Sequence, residues 1–274
     1  MTSGDVAPGR IEAAFERARQ EARPGFVAFV TVGYPDIGST PKQVRALIEG
    51  GADIIELGVP FSDPLGEGKT IQRSSSKALE NGVTAAGCLD LVRQLRNEGV
   101  EAPLVLMGYY NPIVAYGIER FAADASAAGA DGLIVVDLPP EESDQMRQAC
   151  LASGLRLIYM LAPTSTDERI RQVSKLASGF VYCMSLSGVT GARDELPASL
   201  EQFIKRVRRF VRLPIAVGFG ISQPKHFQSV GRIADAAAIG SAIIDEIDRS
   251  DPSDQAARLK HYAEVVTGRR RAAT

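Results

Sequence analysis

The stretch ADIIELGVPFSDPLGEGKTIQ, residues 52–72, governs the reading of this chain. It opens as an apolar run (Ile54, Ile55, Leu57, Val59) with the length and β-branched content of a buried parallel strand, broken by one carboxylate, Glu56. Side chains alternate along a strand, so Ile55, Leu57 and Val59 share one face and Ile54, Glu56 and Gly58 the other. Glu56 therefore points where water is scarce, either as a member of a core ion pair or as a chemical group. The loop that follows favours the second role. It is rich in turn residues and carries Asp63 and Glu67 directly after the strand's carboxyl end, which is where parallel α/β folds place their chemistry.

Working outward, apolar strand-like runs recur at residues 26–32, 103–110, 132–138, 156–162, 179–186, 214–221 and 236–243. Helical patterns separate them at 40–50, 71–79, 85–97, 118–128, 141–153, 166–177, 200–210, 224–230 and 253–266, and one helix, 10–22, precedes the first strand with Ile11, Phe15 and Ala18 on one face. Repeated βα units imply right-handed crossovers and a parallel sheet with helices outside it. Eight such units in a chain of 274 residues predict a closed (β/α)8 TIM barrel with an extra N-terminal helix. An open doubly wound sheet is the alternative, but the first strand ends in Val32-Gly33-Tyr34-Pro35, one glycine where a dinucleotide-binding turn has three. No linker composition divides the chain, so residues 1–274 are expected to form a single barrel domain, with 1–9 and 268–274 as flexible ends.

Composition excludes several classes of function. A net charge of −2 and a pI near 5.8 give no electrostatic footprint for nucleic acid, and the basic run at 269–271 reads as a solvated terminus. No stretch approaches the roughly 18 apolar residues of a membrane span and the N-terminus lacks a signal-peptide core, so a cytoplasmic location is expected. Cys88, Cys150 and Cys183 are odd in number and widely spaced, as reduced buried thiols are. Both histidines, His226 and His261, fall in predicted helices, which removes most histidine catalysis; no metal site is expected.

At the predicted strand ends the polar candidates are Glu56, Glu67, Tyr109, Asp137 and Tyr182. A glutamate facing an apolar barrel interior has its pKa raised, which suits it to exchange protons near neutral pH. Tyr182 reads equally as a core aromatic or a site residue, and Asp137 as a loop cap or a catalytic acid. Glycines cluster at the last strands: Ser187-Gly188-Val189-Thr190-Gly191, then Gly218-Phe219-Gly220, then Gly240-Ser241 within the eighth predicted strand. Glycine lets several backbone amides converge on one anion, so three such sites point to a phosphorylated small molecule. All seven lysines lie in predicted helices or loops. None sits in a strand where a Schiff base would form, which favours acid/base cleavage of a substrate carrying its own electron sink, such as an indole ring.

The motifs ELGVPFSDPL (56–65), TIQ (70–72), MGYYNPI (107–113), DLPPEE (137–142), SLSGVTG (185–191), VGFGIS (217–222) and IGSAI (239–243) follow in order along nearly the whole chain. On these the sequence resembles the tryptophan synthase α subunit family. The resemblance implies retro-aldol cleavage of indole-3-glycerol phosphate to indole and D-glyceraldehyde 3-phosphate, a step of tryptophan biosynthesis. It implies that Glu56 shuttles protons, that Tyr182 borders the substrate, and that indole packs among Phe29, Ile71, Leu106 and Phe219, with Tyr109, Asp137 and Thr190 also binding substrate. Gly191, Gly220, Gly240 and Ser241 would hold the phosphate. The family carries PLADGPTIQ or PLGDGPTIQ where this chain has Pro64-Leu65-Gly66-Glu67-Gly68-Lys69, so Glu67 replaces the aspartate that accepts the indole N–H and Lys69 replaces a proline. The expectation is that Glu67 still faces the indole nitrogen, with Lys69 able to pair with it. The resemblance further implies no cofactor in this chain, and a β subunit carrying pyridoxal phosphate as partner in an α2β2 complex. A free-standing indole-3-glycerol-phosphate lyase, or a weakly active homologue that mainly activates a partner, are the alternative readings.

Overall fold

The computed structural model describes residues 9–184, 198–218 and 220–269. Eight parallel strands close into a barrel in sequence order: β1 (Gly25–Thr31), β2 (Ile54–Gly58), β3 (Leu104–Gly108), β4 (Gly132–Val135), β5 (Arg156–Leu161), β6 (Val181–Met184), β7 (Ile215–Gly218) and β8 (Ala236–Ile239). Closure is made by β8 pairing with β1, Gly25 opposite Ala236 and Val27 opposite Ala238. The strands are buried on both faces, and alternation divides the apolar residues into two cores. Ala28, Val30, Ile55, Leu57, Leu104 and Leu106 face the surrounding helices. Val27, Phe29, Ile54, Val105, Met107, Ile134, Ile158, Phe180 and Ala216 fill the barrel.

The N-terminal mouth of the barrel is plugged. Helix α1 (Arg10–Gln20) turns Ile11, Ala14 and Phe15 onto the inner core, and the Phe15 and Phe180 rings meet at 5.5 Å. The Glu12 carboxylate accepts from Arg156 Nε of β5 at 2.7 Å and holds the plug in place. Around this same end a latch repeats four times. A residue one to three positions ahead of an even strand accepts a backbone N–H from the start of the odd strand before it: Asp53 from Phe26, Asp131 from Leu104, Ser178 from Leu157 and Asp235 from Ile215, all within 2.7–2.9 Å. The three aspartates each also pair with an arginine, Arg23, Arg96 and Arg208 respectively. With the bottom sealed, the carboxyl end is the open one.

The outer layer comprises α2 (Thr40–Gly50), α3 (Lys69–Glu80), α4 (Ala85–Asn97), α5 (Tyr110–Tyr116), α6 (Ile118–Ala128), α7 (Asp144–Ala152), α8 (Asp167–Leu176), α9 (Ala198–Arg208), α10 (Pro224–Gly231), α11 (Ser241–Asp248) and α12 (Gln255–Val266). Two of these depart from the sequence reading. The run predicted as strand to residue 243 is strand only to Ile239; Ile243, Ile244 and Ile247 then recur at helical spacing and form the buried face of α11. The MGYYNPI motif likewise leaves β3 at Gly108 and enters α5, with Pro112 in the first turn where a missing N–H costs nothing. The three cysteines are free and buried, as expected. No helix among the described residues is long and apolar enough to cross a membrane.

Candidate active site

The open end of the barrel holds a cavity of about 480 Å³, within the range of small-molecule sites. Its floor and walls come from inward-facing residues of the strands, Phe29, Glu56, Met107, Met160, Tyr182 and Met184, and from Val136 just after β4. Its rim comes from the N-terminal segments of α3 and α11 and the turn after β7: Glu67 to Ile71, Gly220 to Ser222, and Gly240 to Ala242.

Glu56 lies at the centre of β2, between Phe29 of β1 and Val105 of β3, and is 1 % exposed. Its Oε1 has no hydrogen-bond partner among the described residues. Burial, and then the neighbouring Glu67 carboxylate, push its carboxyl up to about 8. Glu67 faces the same cavity from the loop between β2 and α3, and burial pushes it up to about 7. That loop is fastened at three points. Ser75 of α3 both accepts from Phe61 N and donates to Phe61 O at 2.9 Å; Gln72 Nε2 donates to Glu67 O at 2.9 Å; and Tyr109 Oη accepts from Gly66 N at 3.0 Å. A Glu67 carboxylate presented by so braced a segment is preorganised rather than loose. Lys69, exposed at the first position of α3, forms no ion pair with Glu67 among the described residues.

Tyr182 points inward from β6, and burial, with Glu56 and Glu67 nearby, raises its phenol well above the usual value near 10. It stays a neutral hydrogen-bond donor. Its place exists because Gly218 has no side chain: a Cβ there would lie 1.9 Å from Tyr182 Oη. Gly220, at φ +72°, makes the turn that exposes backbone after β7. Gly240 caps α11 and Ser241 begins it, so the first amides of that helix, which have no partner inside it, open at the rim.

Of the residues expected from sequence, the cavity brings together Phe29, Glu56, Glu67, Ile71, Tyr182, Gly220, Gly240 and Ser241. Leu106 is corrected: it is 2 % exposed between β3 and the helices, on the outer core, and the inward neighbour is Met107. The signal was present in the sequence, since Tyr109 and Leu106 differ in parity and cannot share a face of one strand. Asp137 is also placed off the cavity. Its carboxylate is exposed and accepts from Tyr110 N at 2.7 Å, capping α5, because the strand ends at Val135 and the aspartate belongs to the turn. Tyr109 stacks on Phe61 at 5.2 Å and lines a small cleft beside the main cavity rather than the cavity itself. Thr190, Gly191 and Phe219 lie outside the described residues. Met107, Val136, Met160, Thr70 and Asp245 are lining residues that the sequence reading missed.

Comparison with known proteins agrees with the barrel fold. A family model described as "Tryptophan synthase alpha chain" matches residues 15–272. The chain is 49% identical over 259 residues to the tryptophan synthase alpha chain of Roseiflexus castenholzii, covering 94% of this chain and 99% of that one. It is 49% identical over 236 residues to the tryptophan synthase of Saccharomyces cerevisiae, covering 86% of this chain and 33% of that longer one. Among solved structures, tryptophan synthase of Mycobacterium tuberculosis superposes with a TM-score of 0.87 at 33% identity, covering 97% of this chain and all of the matched chain.

Proposed function

The chain belongs to the tryptophan synthase alpha chain family, lyases that cleave indole-3-glycerol phosphate in tryptophan biosynthesis, and from that premise we propose how its own residues divide the work. The substrate's phosphate rests on the amides at Gly220, Gly240 and Ser241, joined by Gly191, and Thr190 binds elsewhere on the substrate. The indole lies against Phe29, Ile71, Met107 and Phe219. Glu56, protonated at neutral pH, gives its proton to indole C3, and the ring becomes an iminium whose positive charge the Glu67 carboxylate supports through the indole N–H. The carbon–carbon bond to the glycerol chain then breaks, its electrons return to the ring, and the Glu56 carboxylate takes the proton of the departing hydroxyl as the aldehyde forms. Glu56 ends as it began. Tyr182 donates a hydrogen bond at the substrate's edge.

The observation that carries this reading is a carboxyl sealed in an apolar barrel, facing the cavity with one oxygen unpartnered and its pKa lifted to about 8. An acid buried for structural reasons would be paired. Replacing Glu56 by Gln is expected to lower the rate of indole release on the order of 10² to 10⁴-fold while leaving the circular dichroism spectrum unchanged. Cleavage at the native rate in that variant would remove Glu56 from the mechanism.

The chemistry asks nothing of a cofactor in this chain, and we assign pyridoxal phosphate to a β subunit with which the chain forms an α2β2 complex in the cytoplasm. Two observations support a partner over the mouth. Leu65 is 81% exposed on the loop that carries Glu67, and the yeast tryptophan synthase unites a region like this chain with about twice as much further sequence. Turnover of indole-3-glycerol phosphate measured with and without β subunit tests this; equal rates would favour a free-standing lyase.

A further inference from the structure

The charges around the cavity are out of balance for the ligand it is to receive. Among the described residues that line it, beside the protonated Glu56 of the proposed mechanism, are two further carboxylates, Glu67 and Asp245, and one cation, Lys69. A phosphate dianion entering such a space meets like charge unless something offsets it. The α11 N-terminus offers the equivalent of only about half a positive charge. Lys69, at the first position of α3, lines the same cavity as that terminus. The Thr70 hydroxyl, next along α3, donates to Asp245 Oδ1 at 3.4 Å, and Asp245 lies one helical turn beyond Ser241 in α11, so the starts of α3 and α11 meet on one rim. Asp245 is itself drawn to Arg73, 3.9 Å away, which leaves Lys69 uncommitted: it has no ion-pair partner among the described residues.

We propose that Lys69 is a phosphate-binding residue of this enzyme, its ammonium closing over the substrate's phosphate while the α11 amides hold it from below. This rests on the assignment of indole-3-glycerol phosphate to the cavity. A lysine is a compact charge on a flexible stem, so it can be exposed when the cavity is empty and still reach an anion on the rim. It also gives a reason for a lysine at a position where the family pattern quoted above has proline: the charge is added to a cradle otherwise built of neutral amides.

The test compares the native protein with Lys69→Gln and Lys69→Arg. In Lys69→Gln the KM for indole-3-glycerol phosphate is expected to rise about tenfold, with the change in KM and not in kcat, and inorganic phosphate is expected to inhibit correspondingly more weakly. Binding of indole, which has no phosphate, stays the same, and Lys69→Arg recovers most of the native KM. An unchanged KM in Lys69→Gln overturns the proposal. So does a fall in kcat with a displaced acid limb of the pH profile, which would place the lysine on Glu67 instead. Failure of the native protein to cleave indole-3-glycerol phosphate would strike the functional assignment itself, a result distinct from either.

Discussion

Two carboxyls, each raised by burial, face one apolar cavity, and the order in which they ionise sets when the site can work. In the proposed mechanism Glu56 must begin as the acid and Glu67 as the anion. Their carboxyls, lifted to about 8 and about 7, satisfy both only in a narrow window. The value of kcat/KM should therefore follow a bell with its limbs near those two values, reporting the pair rather than either group alone. Glu67→Gln should erase the acid limb and lower the maximum on the order of a hundredfold, whereas Glu67→Asp should keep the limb at a reduced rate; rate measurements from pH 5 to 10 decide. The same burial has a cost in stability. Because Glu56's folded pKa lies above its unfolded value, its contribution is fully present below about 4.5 and is lost as pH rises through about 8. At about 1.4 kcal/mol per pKa unit the loss is several kcal/mol, so Glu56→Gln should be more stable than the native protein at pH 9 and lose that advantage toward pH 5, as urea midpoints would show. The inward placement of Glu56 was legible in the sequence because strand alternation sets it on the face opposite Ile55 and Leu57. The Leu106 assignment failed on parity, which strand alternation alone decides.

Elements position these residues by close fit. Gly218 gives up a side chain so that the Tyr182 hydroxyl can lie across β7, where a methyl would sit 1.9 Å from it. Gly218→Ala should push the tyrosine ring off β7 and further into the cavity, destabilising the fold by about 1–3 kcal/mol and lowering kcat/KM more than Tyr182→Phe does, since the displaced ring also intrudes on the substrate. Thermal melts and steady-state rates on the two variants check this. The sequence showed the eight strands and all the helices but α5 and α11, and it did not show where strands stop. β8 and α11 run together as one apolar stretch, and only the change from pleat to helix turns Gly240 and Ser241 from a strand interior into a helix start. Their expected role as an anion cradle is unaffected, but its physical basis moves from glycine softness in a strand to free amides at a helix end.

On the scale of the whole molecule the two ends of the barrel divide their duties, chemistry above and cohesion below. The eightfold βα repeat made the closed barrel legible, since eight such units in a chain of this length predict it; the register in which β8 meets β1 was not. Nor were the latches, which depend on partners many residues distant, such as Asp131 with Leu104 and Arg96. Both charged side chains of that latch are about 10% exposed, so Asp131→Ala strands a shielded arginine and an unmade backbone bond. It should destabilise the protein by about 3–5 kcal/mol and leave kcat untouched, as denaturation and activity measured side by side would establish. Each latch joins an odd strand to the even strand that follows it, so the ring is stitched in pairs and not uniformly. A polypeptide nicked between β4 and β5 keeps two whole stitches in either half, whereas a nick between β3 and β4 divides one between the pieces. Halves of the first kind should find each other and re-form the working enzyme, and pieces of the second kind should do so less readily.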